Sequence, residues 1–304
     1  MAIRSNGPSA GFGWLTNGIT VGFRHPKPLF GGAAFLVLAC LLPSLITVPM
    51  QFHSLQAGTP PSPATFGWVM VVSMLISLLL TLLIMPLYAG YLQMVDAAER
   101  GLPARALDIF KPYRQGEALR VIGYGLVLIV VYLVMFGIII AATGSSLVSW
   151  YMQTLTAQAN HLPPPMALPH GFGITMVLLM VLGLFMMGFY AISLGQVALN
   201  RRNVFSAIGD GVIGALKNVL PLLVFAVSAI LVWIAVAIAF VIVAVLLTLL
   251  AKLVSGLLAF VLIIPLSIAF ILVMFTAMFG VMYRLWRDVC GDDIVTDMAL
   301  PIAV

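Results

Sequence analysis

An all-α integral membrane fold is predicted by two features of this chain: long stretches without an ionisable side chain, and basic residues confined to alternate connections. Six segments, near 29–52, 67–95, 121–142, 171–199, 219–250 and 256–283, contain no Asp, Glu, Lys or Arg. An apolar run of about 20 residues matches the hydrocarbon thickness of a bilayer, so each segment predicts a transmembrane helix. The composition agrees, with 63% hydrophobic and 8% charged residues and a mean hydropathy of +1.18 over 304 residues. The remaining connections are too short to bury a core of their own, which predicts a single polytopic membrane domain over 1–304.

Orientation follows from the connections. The N-terminal segment holds Arg4, Arg24 and Lys27, and the 96–120 connection holds Arg100, Arg105, Lys111, Arg114 and Arg120. The 200–218 connection holds Arg201, Arg202 and Lys217, and the C-terminal segment Arg284 and Arg287. The alternate connections, 53–66, 143–170 and 251–255, carry only Lys252. The positive-inside rule then places both termini in the cytoplasm and arranges the six helices as three hairpins. The formal net charge of +5 is spread over these loops, which fits anionic lipid at a cytoplasmic surface and excludes a nucleic-acid partner.

A cytoplasmic amphipathic segment precedes each hairpin. In the first, Phe12, Leu15, Ile19 and Phe23 recur at helical spacing, with Trp14 placed to anchor at the interface. In the third, Phe205, Ile208, Val212 and Leu216 do the same, opposite Asn203 and Asp210. Such helices are expected to lie in the membrane plane with the apolar face down. Pro26 and Pro28, and later Pro221, turn the chain into the following span, because a missing N–H is harmless at a helix start.

The segments superpose as a degenerate threefold repeat with units 1–95, 96–199 and 200–304. That register aligns Trp14 with Ala104 and Ala207, Arg24 with Arg114 and Lys217, Leu29 with Leu119 and Leu222, and Gln93 with Gln196. Arg24, Arg114 and Lys217 therefore stand at one point of each unit, just before the leading helix of the hairpin. If the hairpins pack about a pseudo-threefold axis, these cations form a ring at the headgroup level and are the candidate lipid-headgroup ligands. The bland alternative is that each obeys the positive-inside rule and is solvated separately.

Catalytic patterns are missing. There is no His-Glu-x-x-His helix, no phosphate-binding glycine loop and no Gly-x-Ser-x-Gly elbow. Ala207-Ile208-Gly209-Asp210 lacks the second membrane Asp that an intramembrane aspartyl protease requires. The tail acids Asp288, Asp292, Asp293 and Asp297 read as a solvated cluster, and of His53, His161 and His170 on the external face the last two are separated by an extended Pro163-Pro164-Pro165 stretch rather than paired for a metal. No cofactor is expected. Cys40 and Cys290 fall in different compartments of the predicted topology and do not form a disulfide framework. Val37-Leu38-Ala39-Cys40 is not read as a lipoprotein cleavage box, because the apolar run continues past Cys40. The spans offer hydroxyls such as Ser73, Thr81, Ser193 and Thr276, which more often bond within the helix bundle than bind substrate.

The motifs Gly13-Trp14-Leu15, Phe23-Arg24-His25-Pro26, Pro86-Leu87-Tyr88-Ala89-Gly90 and Asn218-Val219-Leu220-Pro221-Leu222, together with Gly18, resemble a group of proteobacterial six-helix inner-membrane proteins. More distantly, the chain is similar to the membrane domain attached to some glycerophosphodiester phosphodiesterases, without their catalytic part. What the resemblance implies is a bacterial inner-membrane location and no assigned catalytic residues. Two functions are carried forward: a non-catalytic protein that binds or organises anionic lipids or a membrane-protein partner, and a transporter or flippase of an amphiphile not coupled through an intramembrane carboxylate. The topology is tested directly. Reporter fusions at positions 110, 208 and 300 are expected to read cytoplasmic and fusions at 58 and 160 periplasmic, and a periplasmic C-terminus overturns the charge argument.

Overall fold

The computed structural model describes residues 3–56, 63–143, 146–159, 162–163, 165–254 and 256–291. These form ten α-helices and a 3-10 turn, with no strand among the described residues. The helices are α1 (Ala10–Arg24), α2 (Pro26–Gln56), α3 (Pro63–Glu99), α4 (Lys111–Arg114), α5 (Ala118–Thr143), α6 (Ser146–Ala159), α7 (Phe172–Ala198), α8 (Val204–Lys217), α9 (Val219–Val254) and α10 (Gly256–Cys290). The 3-10 turn, Ala106–Phe110, precedes α4. Six of the helices (α2, α3, α5, α7, α9 and α10) contain stretches long and apolar enough to cross a membrane.

The six spans form hairpins α2–α3, α5–α7 and α9–α10. The trailing helices α3, α7 and α10 contact one another and make the inner triangle. Each leading helix lies in a groove between two of them: α2 against α3 and α10, α5 against α3 and α7, α9 against α7 and α10. Each elbow packs on the trailing helix of another hairpin: α1 on α10, the Ala106–Phe110 turn on α3, and α8 on α7.

The elbows do not lie flat on their large apolar residues. Gly18 of α1 meets Gly280 and Val281 of α10, and Gly22, one turn on, meets Thr276, so α1 runs antiparallel alongside α10. Ile109 meets Gly90 and the Tyr113 hydroxyl reaches the Leu83 carbonyl, which repeats the pattern on α3. Gly211 of α8 meets Phe189 and Ser193 of α7. Gly18, Asp108 and Gly211 are equivalent in the register that aligns Arg24 with Arg114 and Lys217, so the three contacts are also nearly equivalent. The buried stripe is rich in small residues, with Gly11, Gly18 and Gly22 beside Trp14, Leu15 and Val21 on α1 and Ala207, Gly211, Gly214 and Ala215 on α8. Small residues let helix backbones approach closely where the surrounding medium is as apolar as the side chains. Phe12, Phe23, Phe205 and Leu216 are left exposed on the outer face.

Other expectations shift in detail. The second elbow is a 3-10 turn plus one helical turn, because Pro103 and Pro112 remove donors and Gly101 (φ 70°) and Gly116 (φ 72°) adopt left-handed conformations. The connection 143–170, expected as a loop, contains α6, tied down by Trp150 Nε1 donating to Ala167 O at 3.0 Å and Ser146 Oγ donating to His170 O at 2.9 Å. Pro86 and Pro265 do not interrupt α3 and α10. Lys252, His53, His161, Asp292, Asp293 and Asp297 lie outside the described residues or side chains.

Burial is concentrated at the elbow ends of the spans. On α3 it covers Ile84 to Ala98 and on α10 Thr276 to Cys290. Trp14, Tyr91, Tyr124, Phe279 and Tyr283 are among the largest fully buried side chains. A Cβ on Gly280 would collide with the Gly18 carbonyl oxygen, whereas one on Gly123 would meet nothing within 4 Å. Gly280→Ala is expected to destabilise by about 2 kcal/mol despite its gain in helix propensity, and Gly123→Ala to be neutral or stabilising, measured as melting temperature in mild detergent.

Candidate functional site

The elbow end of the bundle holds nearly all the polar structure of the described chain. The α7–α8 turn is closed by Arg202 N donating to Gln196 O at 3.1 Å, with Arg201 in the left-handed region (φ 49°). Asn203 then caps α8, its side chain accepting from Phe205 N at 3.2 Å. This places Asp210 against α7, where its carboxylate accepts from Gln196 Nε2 at 2.9 Å and Arg202 Nε at 3.1 Å. Gln196 is fully buried and its Oε1 accepts from Asn200 Nδ2 at 2.5 Å.

The same end ties the three hairpins together. Gln93 Nε2 of α3 donates to Ala198 O of α7 at 2.9 Å. Arg120 of α5 donates to Val197 O and Arg201 O, both at 3.1 Å, satisfying carbonyls that the end of α7 leaves open. Glu117 joins Arg120 and Arg201 at 3.3 and 2.8 Å. Between α3 and α10, Tyr283 donates to Asp96 Oδ1 at 3.0 Å and Arg284 pairs with the nearly inaccessible Glu99. Arg100 shares Asp96 at 2.8 Å, and that hydrogen bond pushes its guanidinium pKa up from the ordinary value. Trp14 Nε1 of α1 donates to Asp288 Oδ2 at 2.8 Å. The N-terminal segment is strapped across this end by Arg4 N to Val289 O at 3.0 Å, Asn6 N to Asn218 Oδ1 at 2.9 Å and Asn218 Nδ2 to Arg4 O at 3.0 Å.

Every described carboxylate is thereby engaged: Asp96, Glu99, Glu117, Asp210 and Asp288 as above, and Asp108 by Lys111 at 3.6 Å and by Arg105 N at 2.8 Å. The cations at the elbow feet are not so partnered. Arg24, Arg114 and Lys217 are exposed and none has a carboxylate partner among the described residues. Arg114 donates to the Leu107 carbonyl and Lys217 Nζ to Ile3 O at 3.3 Å. Lys27, exposed beside Arg24, also lacks one. The three stand at the ends of three different elbows, and no hydrogen bond among the described residues joins any two. Tyr113, next to Arg114, has its phenol pKa raised by burial.

Sequence reading located these cations and Asp210 but not the partners that consume the acids. The register aligns Gln93 with Gln196 without giving either a role, and Arg284 enters the sequence reading only as a cytoplasmic cation of the C-terminal segment. The legible signal was a pair of amides and a cluster of acids all confined to one end. Among the described residues, no three of His, Cys, Asp and Glu come together to hold a metal, and Cys40 and Cys290 are free thiols.

No protein family, curated protein or solved structure matches the chain.

The ledger of pairs makes a direct test possible. Glu99→Gln leaves Arg284, mostly buried, without its counter-charge and is expected to destabilise by about 3 kcal/mol. Arg100→Gln removes an exposed pair and is expected to lower stability by under about 1 kcal/mol. Melting in mild detergent, followed by monodisperse elution, separates the two.

Proposed function

We propose that this is a non-catalytic protein of the bacterial inner membrane, with cytoplasmic termini, that binds anionic lipid at the feet of its elbows. The supporting observation is electrostatic. All described carboxylates are engaged within the elbow-end network, while Arg24, Lys27, Arg114 and Lys217 are exposed without one. A cation beside a membrane surface attracts an anionic headgroup by about 1 kcal/mol. Because they stand on three separate elbows, the reading is a belt that engages neighbouring headgroups rather than a clamp on one. The resemblance to six-helix inner-membrane proteins fits this reading. The outward Phe12, Phe23, Phe205 and Leu216 fit it too, since they set the elbows into the acyl boundary where headgroups pass.

The Arg24→Gln, Arg114→Gln, Lys217→Gln triple variant tests it. Native mass spectrometry in mild detergent is expected to show retention of each bound cardiolipin or phosphatidylglycerol reduced by about fivefold relative to phosphatidylcholine. Unchanged retention in a folded protein of unaltered topology overturns the proposal.

A further inference from the structure

Helix α6 has a side that the fold does not use. It links the ends of two candidate spans, α5 and α7, on the side of the bundle away from the elbows. Those spans, 26 and 27 residues long, rise about 39 and 40 Å, enough to cross a roughly 30 Å core and end among the headgroups. Their ends meet there, since a Cβ on Gly171 would lie 4.0 Å from the Thr143 carbonyl oxygen. Both ends of the α6 connection are therefore held where the chain leaves the hydrocarbon. Trp150 ties the helix to the returning segment, its Nε1 donating to Ala167 O at 3.0 Å, and Ser146 Oγ donates to His170 O at 2.9 Å. Ser149, Gln153 and Thr156 make a polar side. Val148, Tyr151, Met152 and Leu155 recur at i, i+3, i+4 and i+7, and even Leu155, the least accessible of them, is 41% exposed. Nothing in the described fold covers this stripe. The whole segment 143–170 contains no Asp, Glu, Lys or Arg.

We propose that α6 lies on the bilayer surface of the leaflet opposite the elbows, with Val148, Tyr151, Met152 and Leu155 set into the acyl boundary. The tether at Thr143 and Gly171 keeps the helix beside the membrane, so the bilayer is the apolar medium within its reach. The lipid-facing surface of α5 leads up to it, with Val134, Ile138 and Ile140 exposed before the turn. Upright in water, the connection would display the whole stripe with no charge to solvate it. Lying flat, it buries the stripe and leaves Ser149, Gln153 and Thr156 in water, which is the arrangement of an interfacial helix. Trp150 and Tyr151 suit that depth, because amphipathic rings concentrate at the headgroup level. With no charge on either side, the hold depends on buried apolar area and not on the sign of the headgroup. The surface therefore takes neutral lipid. It differs in kind from the cationic elbow feet and stands whether or not they bind anions.

Met152→Trp and Gln153→Trp place an indole on the apolar and polar sides of one turn in the full-length protein, reconstituted into phosphatidylcholine vesicles. Each signal is taken as variant minus wild type. With iodide on both sides of the membrane, quenching of Met152→Trp is expected to be about fivefold weaker than that of Gln153→Trp. With phosphatidylcholine brominated on its acyl chains the order reverses. At a pH of about 8, where His161 and His170 are neutral, the bromine quenching is expected to survive about 1 M salt, at which the screening length is about 3 Å. Val148→Trp, on the same stripe, is expected to repeat the Met152→Trp pattern, and unaltered melting confirms that the variants keep the fold. Equal access of Met152→Trp and Gln153→Trp to iodide overturns the inference, as does bromine quenching lost in high salt. Met152→Trp shielded from iodide and bromine alike overturns it in favour of a second copy or another protein. The triple Gln variant at the elbow feet is expected to leave every one of these readings unchanged, so the two proposals fail separately.

Discussion

The close approach of each elbow to a trailing helix is the constraint on which the other features depend. A membrane gives no hydrophobic reward for bringing two helices together, so association has to come from dispersion at short range and from hydrogen bonds shielded from water. Glycine at 18, 90, 211 and 280 provides the short range. The elbow then hides its glycines, together with Trp14, Leu15 and Val21 on α1, while Phe12, Phe23, Phe205 and Leu216 turn outward. The same approach brings Trp14 to Asp288 and Asp210 to Gln196, so the polar network is a product of the packing.

Much of this was legible in the sequence, for reasons that follow from the solvent. Burial in lipid demands long uncharged runs, so the number of spans and their hairpin pairing could be read from Lys and Arg positions alone. The elbow helices 10–24 and 204–217 were visible as amphipathic periodicity. Which face they bury was legible in part, because of the period Phe12, Leu15, Ile19 and Phe23 the structure buries Leu15 and packs Ile19 on the core, beside Gly11, Gly18 and Gly22, and leaves Phe12 and Phe23 exposed. In water the large apolar face would win; next to lipid it gains nothing by turning inward. The helix α6 was missed because Ser, Thr and Gln dilute its apolar period, and its tether to Ala167 and His170 is a tertiary contact. For the candidate site, sequence supplied the cations and not their isolation, since that depends on which partner each acid chooses across the bundle.

Electrostatically the elbow end is divided into two layers. The inner layer is self-neutralised, with Glu99, Glu117 and Asp210 each opposite an arginine. The outer layer, at the elbow feet, is positive. An ion pair held within the fold contributes little field beyond a Debye length, while unpartnered cations act at the surface where lipid competes with water for them.

The unequal burial along the spans has a mechanical consequence. The elbow ends are locked by packing and hydrogen bonds, whereas among the described residues those toward the opposite ends of α2, α5 and especially α9 are seldom buried. A change in bilayer thickness costs only fractions of a kcal/mol per Å when helices can tilt to absorb it. This molecule can tilt at one end while the other stays rigid. The fold is thus a set of staves on a packed hoop, and a change of membrane thickness would be absorbed first at the ends with few contacts rather than in the elbow-end network.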